Sequence, residues 1–113
     1  MQSQVAVATA RGLPLIAYEG GQHLVGNGGV ENNATINALF DDANRDPRMG
    51  ALYKTYLDAW KASGAKLFVH FINCSGYSMW GRWGALEYLD QPRANAPKFD
   101  ALQTFIEQNR AWW

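Results

Sequence analysis

The sequence is short of most residues that announce a chemistry. It has one cysteine, Cys74, and two histidines in 113 residues. A single thiol closes no disulfide within the chain, and no Cys/His spacing suits a zinc site, so no metal is expected. Cys74 reads as a small packed hydrophobe. Excess charge is missing too, because ten basic and ten acidic residues leave a formal net charge of zero. No run of Lys or Arg appears, so nothing draws the chain to nucleic acid or an anionic membrane surface. No apolar stretch approaches the roughly 20 residues of a membrane span. The N-terminus lacks the basic-then-apolar pattern of a secretion signal, which leaves the compartment open. The cluster Gly26, Gly28 and Gly29 is followed by neither the Lys nor the immediate helix of a phosphate loop, and no cofactor is implied.

What is present suits one small globular unit, taken as a single segment over 1–113. Hydrophobic residues make up 48% of the chain and charged residues 18%, a balance that argues against disorder. Aromatic content is high, with five Trp. Indole rings serve cores, interfaces and sugar-contacting surfaces alike, so the excess alone decides nothing.

Residues 1–11 read as the tail of a helix, with Arg11 near its end and Gly12 just past it. Residues 13–18 form a short apolar run that reads as a buried strand, with Pro14 tolerable only near its start. Glu19 follows directly. Residues 20–33, GGQHLVGNGGVENN, read as a long loop; loops of that length are usually functional or disordered, and its place after a strand end with a carboxylate favours function. A short helix over 34–43 would place Ile36, Leu39 and Phe40 on one face. Asp46-Pro47 is a helix start, and Met49, Leu52, Tyr53, Tyr56, Leu57 and Trp60 then recur as one broad buried stripe until Ser63-Gly64. Residues 66–73, KLFVHFIN, read as a second strand covered on both faces. A second long loop spans 74–95. Ala96-Pro97 opens a last helix with Phe99, Leu102, Phe105 and Ile106 as its buried stripe, and the chain ends in Trp112-Trp113.

Two strands separated by a crossover helix imply parallel neighbours with a right-handed connection. Both long loops then leave carboxyl ends of strands and lie at one end of the sheet. That brings Glu19, Gln22 and His23 toward Asn73, Tyr77, Trp80 and Trp83. The expected class is α/β: two parallel strands with crossover helices. Two strands cannot cover both of their faces, and a (β/α)₈ barrel needs about 250 residues. The chain is therefore expected to be a piece of a larger barrel, to self-associate, or to assemble with a completing chain.

The stretch AYEGGQHL after a short strand, followed by helix, strand and Trp-bearing loop, resembles the C-terminal part of a (β/α)₈-barrel glycoside hydrolase of the clan that uses two glutamates for retaining hydrolysis. The resemblance covers most of this chain and the last two β/α units of such a barrel. It implies that Glu19, at the end of the seventh strand, is the nucleophile. It implies that Trp80 or Trp83 floors a sugar subsite, and that the partner is an oligosaccharide or polysaccharide. The clan's general acid, a Glu usually preceded by Asn after the fourth strand, has no counterpart here and would be supplied from outside this chain.

Each candidate has a plainer reading beside the functional one. Glu19 is a nucleophile needing a second carboxyl about 5–5.5 Å away, or a carboxylate accepting N–H bonds in a Gly-rich turn. Gln22 and His23 contact sugar hydroxyls or anchor their own loop. His70 and Asn73 lie an odd number of residues apart, so only one faces the sheet side that Glu19 serves, and His70 reads as a core residue. Tyr77, Trp80 and Trp83 stack on sugar faces or pack under the loop. Glu87 and Asp90 read as solvated loop acids. A carbohydrate-binding protein without catalysis is the alternative function.

Overall fold

The computed structural model describes residues 1–111; Trp112 and Trp113 lie outside the described residues. The elements run α1 (Gln2–Thr9), β1 (Ala17–Gly20), α2 (Ala34–Arg45), α3 (Pro47–Ala62), β2 (Phe68–His70) and α4 (Pro97–Gln108). Short 3₁₀ turns at Val30–Asn32 and Arg93–Asn95 precede α2 and α4. The chain is mixed α/β, with β1 and β2 parallel in one two-stranded sheet. None of its helices is long and apolar enough to cross a membrane among the described residues.

Local chemistry sets the helix ends. α1 closes in a Schellman arrangement: Leu13 N–H bonds Ala8 C=O at 3.0 Å and Gly12 N–H bonds Thr9 C=O at 2.9 Å, with Gly12 at φ +68°. Asn33 caps α2 by accepting from the N–H groups of Thr35 and Ile36 at 3.0 and 3.1 Å. Asp46 caps α3 through Arg48 N–H at 2.8 Å, with Pro47 at the first helical position.

The strands are shorter than the apolar runs suggest. β1 starts at Ala17 rather than at Leu13, and Glu19 lies inside it rather than after it. Pro14 has no N–H to offer a ladder. Pairing begins where Leu15 C=O accepts from Lys66 N–H at 2.8 Å and Ala17 N–H donates to Leu67 C=O at 2.9 Å. The register pairs Ala17 with Phe68 and Gly20 with His70. β1 therefore takes three steps where β2 takes two, so Tyr18 and Glu19 together oppose Val69 in a bulge. β2 stops at His70 because the next residues find another partner. Phe71 N–H still reaches Gly20 C=O at 2.9 Å, across the cis bond Phe71–Ile72 the backbone turns, and Ile72 and Asn73 then pair with residues 83–86. The segment 74–95 is thus no free loop. Ala85 N–H donates to Ile72 C=O (2.8 Å), Leu86 N–H to Asn73 C=O (2.9 Å) and Ser75 N–H to Leu86 C=O (3.0 Å), a parallel extension beyond β2.

The core lies between the sheet and the α3–α4 pair. Met49, Tyr53, Leu57 and Trp60 are the buried residues of α3, a narrower stripe than the sequence suggests, since Leu52 faces solvent. Phe68 stands edge-on to Tyr56 and Trp60 with centroids 5.4 and 5.6 Å away, and Trp60 Nε1 donates to Lys66 C=O at 2.7 Å. On α4 the inward residues are Lys98 and Phe105, while Ile106, expected inside, is 63% exposed. Leu39 of α2 is likewise exposed, and the buried residue of that helix is Asn44. The face of the sheet away from α3 remains open: Ile16, Tyr18, Val69 and Phe71 are all exposed. The accessible surface of 7231 Å² exceeds the roughly 6,200 Å² expected of a compact chain of this mass.

Candidate functional site

The two segments that leave the carboxyl ends of β1 and β2 meet. Gln22 makes the junction: its Nε2 donates to Arg82 C=O at 2.6 Å, its Oε1 accepts from Leu24 N–H at 2.7 Å, and its N–H donates to Tyr53 Oη at 3.1 Å. Its side chain thus anchors the loop. His23 approaches Trp83, whose Nε1 points at His23 Nδ1 across 3.4 Å, with the ring centroids 6.0 Å apart. Phe71 stands edge-on to the same indole at 6.0 Å. Gly81 makes this close approach feasible, since a Cβ there would overlap the Trp83 ring. His23, Phe71 and Trp83 therefore form one partly exposed aromatic strip on the outer surface of the junction.

The other candidates scatter around it. Trp80 is 65% exposed at the tip of the Ser78–Gly81 turn and touches no other ring among the described residues. Asn73 is exposed, and its carbonyl belongs to the ladder with Leu86. Tyr77 turns inward instead: its ring lies between Arg45 and Lys98, at 5.3 and 4.9 Å from the two cations. Burial pushes its hydroxyl well above the usual phenol range. Glu19 is exposed and makes no hydrogen bond or ion pair among the described residues. It lines a shallow cavity of about 440 Å³ with Leu15, Tyr18, Tyr56, Trp60 and the start of α1, and no second carboxylate lines it. Glu87, read as a solvated acid, is held in a two-point pair with Arg45 at 2.9 and 2.6 Å.

Beneath the junction lies a polar cluster that sequence reasoning did not find. Arg82 is 1% exposed and Lys98 and Asn44 are fully buried. The Arg82 guanidinium pairs with Asp41 through Nε and gives Nη2 to Asn37 Oδ1 at 2.9 Å and Asn37 C=O at 3.1 Å. Lys98 Nζ donates to Asn44 Oδ1 at 2.9 Å and to Arg82 C=O at 2.6 Å. Desolvation pulls the Lys98 ammonium down to about 7, against a smaller opposing pull from Glu87. A sequence signal existed: Asn37, Asp41 and Asn44 recur at helical spacing and give α2 a polar inner face.

His70 completes the interior. Its ring meets Tyr53 edge-on at 5.5 Å, and Gly21 leaves room for it, since a Cβ there would lie 3.1 Å from the imidazole. Neither buried ring nitrogen has a partner at hydrogen-bonding geometry among the described residues. Burial first, and the nearby Lys98 charge second, push the imidazole down to about 4, while the Gly20 and Trp83 backbones oppose this only in part. His70 is therefore a neutral core residue at pH 7.

A larger groove of about 850 Å³ runs between α3, α4 and residues 87–95. Its charged side chains satisfy one another as Arg45–Glu87, Lys54–Asp58 and Arg93–Asp100 pairs, which leaves it no obvious unpaired group for a charged ligand. Among the described residues, no group of three or more His, Cys, Asp or Glu could hold a metal ion. Compared with known proteins, the chain matches no family model, no curated protein and no solved structure.

Proposed function

We propose that this chain is the sugar-contacting part of a carbohydrate-active (β/α) barrel, equivalent to its last two β/α units, with the Trp83 strip as a platform and Glu19 as the nucleophile. The observation that carries the reading is the meeting of two loops at the carboxyl ends of two parallel strands, where barrels and open α/β sheets bind their ligands. A half-buried indole flanked by His23 and Phe71 suits the apolar face of a pyranose, with polar edges nearby for hydroxyls. Glu19 sits in a β-bulge, a device found at barrel rims and beside active sites, where it re-aims a side chain. The exposed apolar sheet face suits completion by further β/α units. Those units would supply the general acid.

One observation favours a non-catalytic variant of the same reading: no second carboxylate lines the Glu19 cavity. Glu19 would then accept a hydrogen bond from a sugar hydroxyl. Affinity electrophoresis of the chain in gels containing soluble polysaccharides tests the binding. Replacing Trp83 by Ala is expected to weaken retardation about tenfold, as truncation of a central aromatic contact does. Unchanged retardation of both Trp83→Ala and Trp80→Ala rules out the platform. In a completed barrel, Glu19→Gln abolishes turnover if Glu19 is the nucleophile and leaves turnover intact if it is not.

A further inference from the structure

We infer that Lys98 and Gln22 are positioning residues for Trp83: together they clamp the carbonyl of Arg82 and so fix the peptide plane from which the indole is presented. What the platform does rests on the sugar-binding reading above; the clamp itself rests on geometry alone. The Arg82 carbonyl oxygen accepts from Lys98 Nζ at 2.6 Å and from Gln22 Nε2 at 2.6 Å. Both of its lone pairs are thus engaged, one from α4 and one from the loop after β1. The Arg82 side chain is tied separately, by Asp41 and Asn37 on α2. Residue 82 is therefore held from three elements of the fold, and Trp83 is the next residue. On its other side Trp83 C=O accepts from Ile72 N–H at 3.3 Å.

A charged amine is an unfavourable choice for a purely space-filling role. Burying it costs desolvation that an apolar side chain of similar volume would avoid. What the ammonium adds is direction: donors aimed at Asn44 Oδ1 and Arg82 O, over the Tyr77 ring. With Lys98 gone, the carbonyl keeps only the Gln22 bond, the 82–83 peptide can rock, and the indole loses its fixed approach to His23. Lys98 is buried and touches no ligand, so any effect on binding acts through Trp83.

The test uses the 113-residue chain and two variants, Lys98→Met, which roughly conserves volume, and Gln22→Met. The indole Nε1–H resonances are followed by two-dimensional NMR, with those of Trp83 and Trp60 assigned through Trp83→Phe and Trp60→Phe. The expected result is that the Trp83 resonance shifts and broadens in both variants while that of Trp60, bonded to Lys66 C=O, stays in place. Polysaccharide affinity falls about tenfold in parallel. A Trp83 resonance unmoved in the folded variants overturns the inference. So does equal movement of Trp60 and Trp83, because that marks general loosening. If Lys98→Met fails to fold, Gln22→Met decides alone. If the unsubstituted chain binds no polysaccharide, the platform reading fails while the indole resonances still decide the clamp.

Discussion

On the sheet, Ile16, Tyr18, Val69 and Phe71 stand in solvent; between the helices, Asn44, Arg82 and Lys98 are dry. The two regions invert the usual partition in opposite senses, for different reasons. Most of the buried polar groups are answered: Arg82 by Asp41 and Asn37, Lys98 by Asn44 and the Arg82 carbonyl, Asn44 by Phe40 C=O. Among the described residues, Arg82 Nη1 and the two ring nitrogens of His70 lack a partner. Of the exposed apolar groups, Phe71 meets only the edge of Trp83, and Ile16, Tyr18 and Val69 lie on the face that no helix of the described residues covers. Buried polarity here is a finished contact, and exposed apolarity is an open one.

This contrast can be broken experimentally. The largest effect is expected at Arg82. Replacing it by Ala removes the partner of Asp41 and empties a buried site, and should lower the unfolding free energy in urea by about 3 kcal/mol. A loss like that of an ordinary surface substitution would mean that the cluster is solvated. The second effect concerns His70, packed against Tyr53 and near Lys98. Its folded-state pKa of about 4 lies below the ordinary value of 6.5. Between the two the unfolded chain binds more protons, so stability is full above pH 6.5 and falls as pH drops toward 4. After discounting for partial solvent screening, the loss is about 2 kcal/mol. His70→Phe should flatten that part of the melting-temperature profile, and an equally steep profile in this variant assigns the effect elsewhere. The smallest effect is expected at Tyr18, which is 82% exposed. Tyr18→Thr should change stability by no more than about 0.5 kcal/mol while reducing fluorescence of a hydrophobic dye. A loss as large as that of Arg82→Ala would show that Tyr18 is covered in solution by another copy of the chain.

The helices were legible because their ends carry local chemistry. Gly12, Asp46-Pro47, Gly64 and Pro97 act within a turn of themselves, and the structure stops or starts helices beside each. The parallel pairing and the meeting of the two loops followed from element order. The strand limits did not, because they depend on which backbone groups find partners: Pro14 offers none, and Ile72 finds one in Trp83 rather than in β1. The stripe on α4 was misread for a related reason. Lys98 takes an inward position while Ile106 of the expected stripe faces solvent, and charged residues are rarely fully buried unless paired. The pairing partners lie on α2 and in the segment after β2, up to 54 residues away, beyond the reach of any local rule. Tyr77, read either as a sugar contact or as packing under its loop, takes the second place, because its two cation contacts turn it inward.

The pairing of Ile72–Ser75 with Trp83–Leu86 has one more effect. Those backbone groups are already engaged, so beyond β2 the sheet carries its own stopper. No such segment lies against the outer side of β1 among the described residues. A strand that adds at the outer side of β1 does so beside Glu19. A chain that joins the sheet at that edge arrives next to the carboxylate.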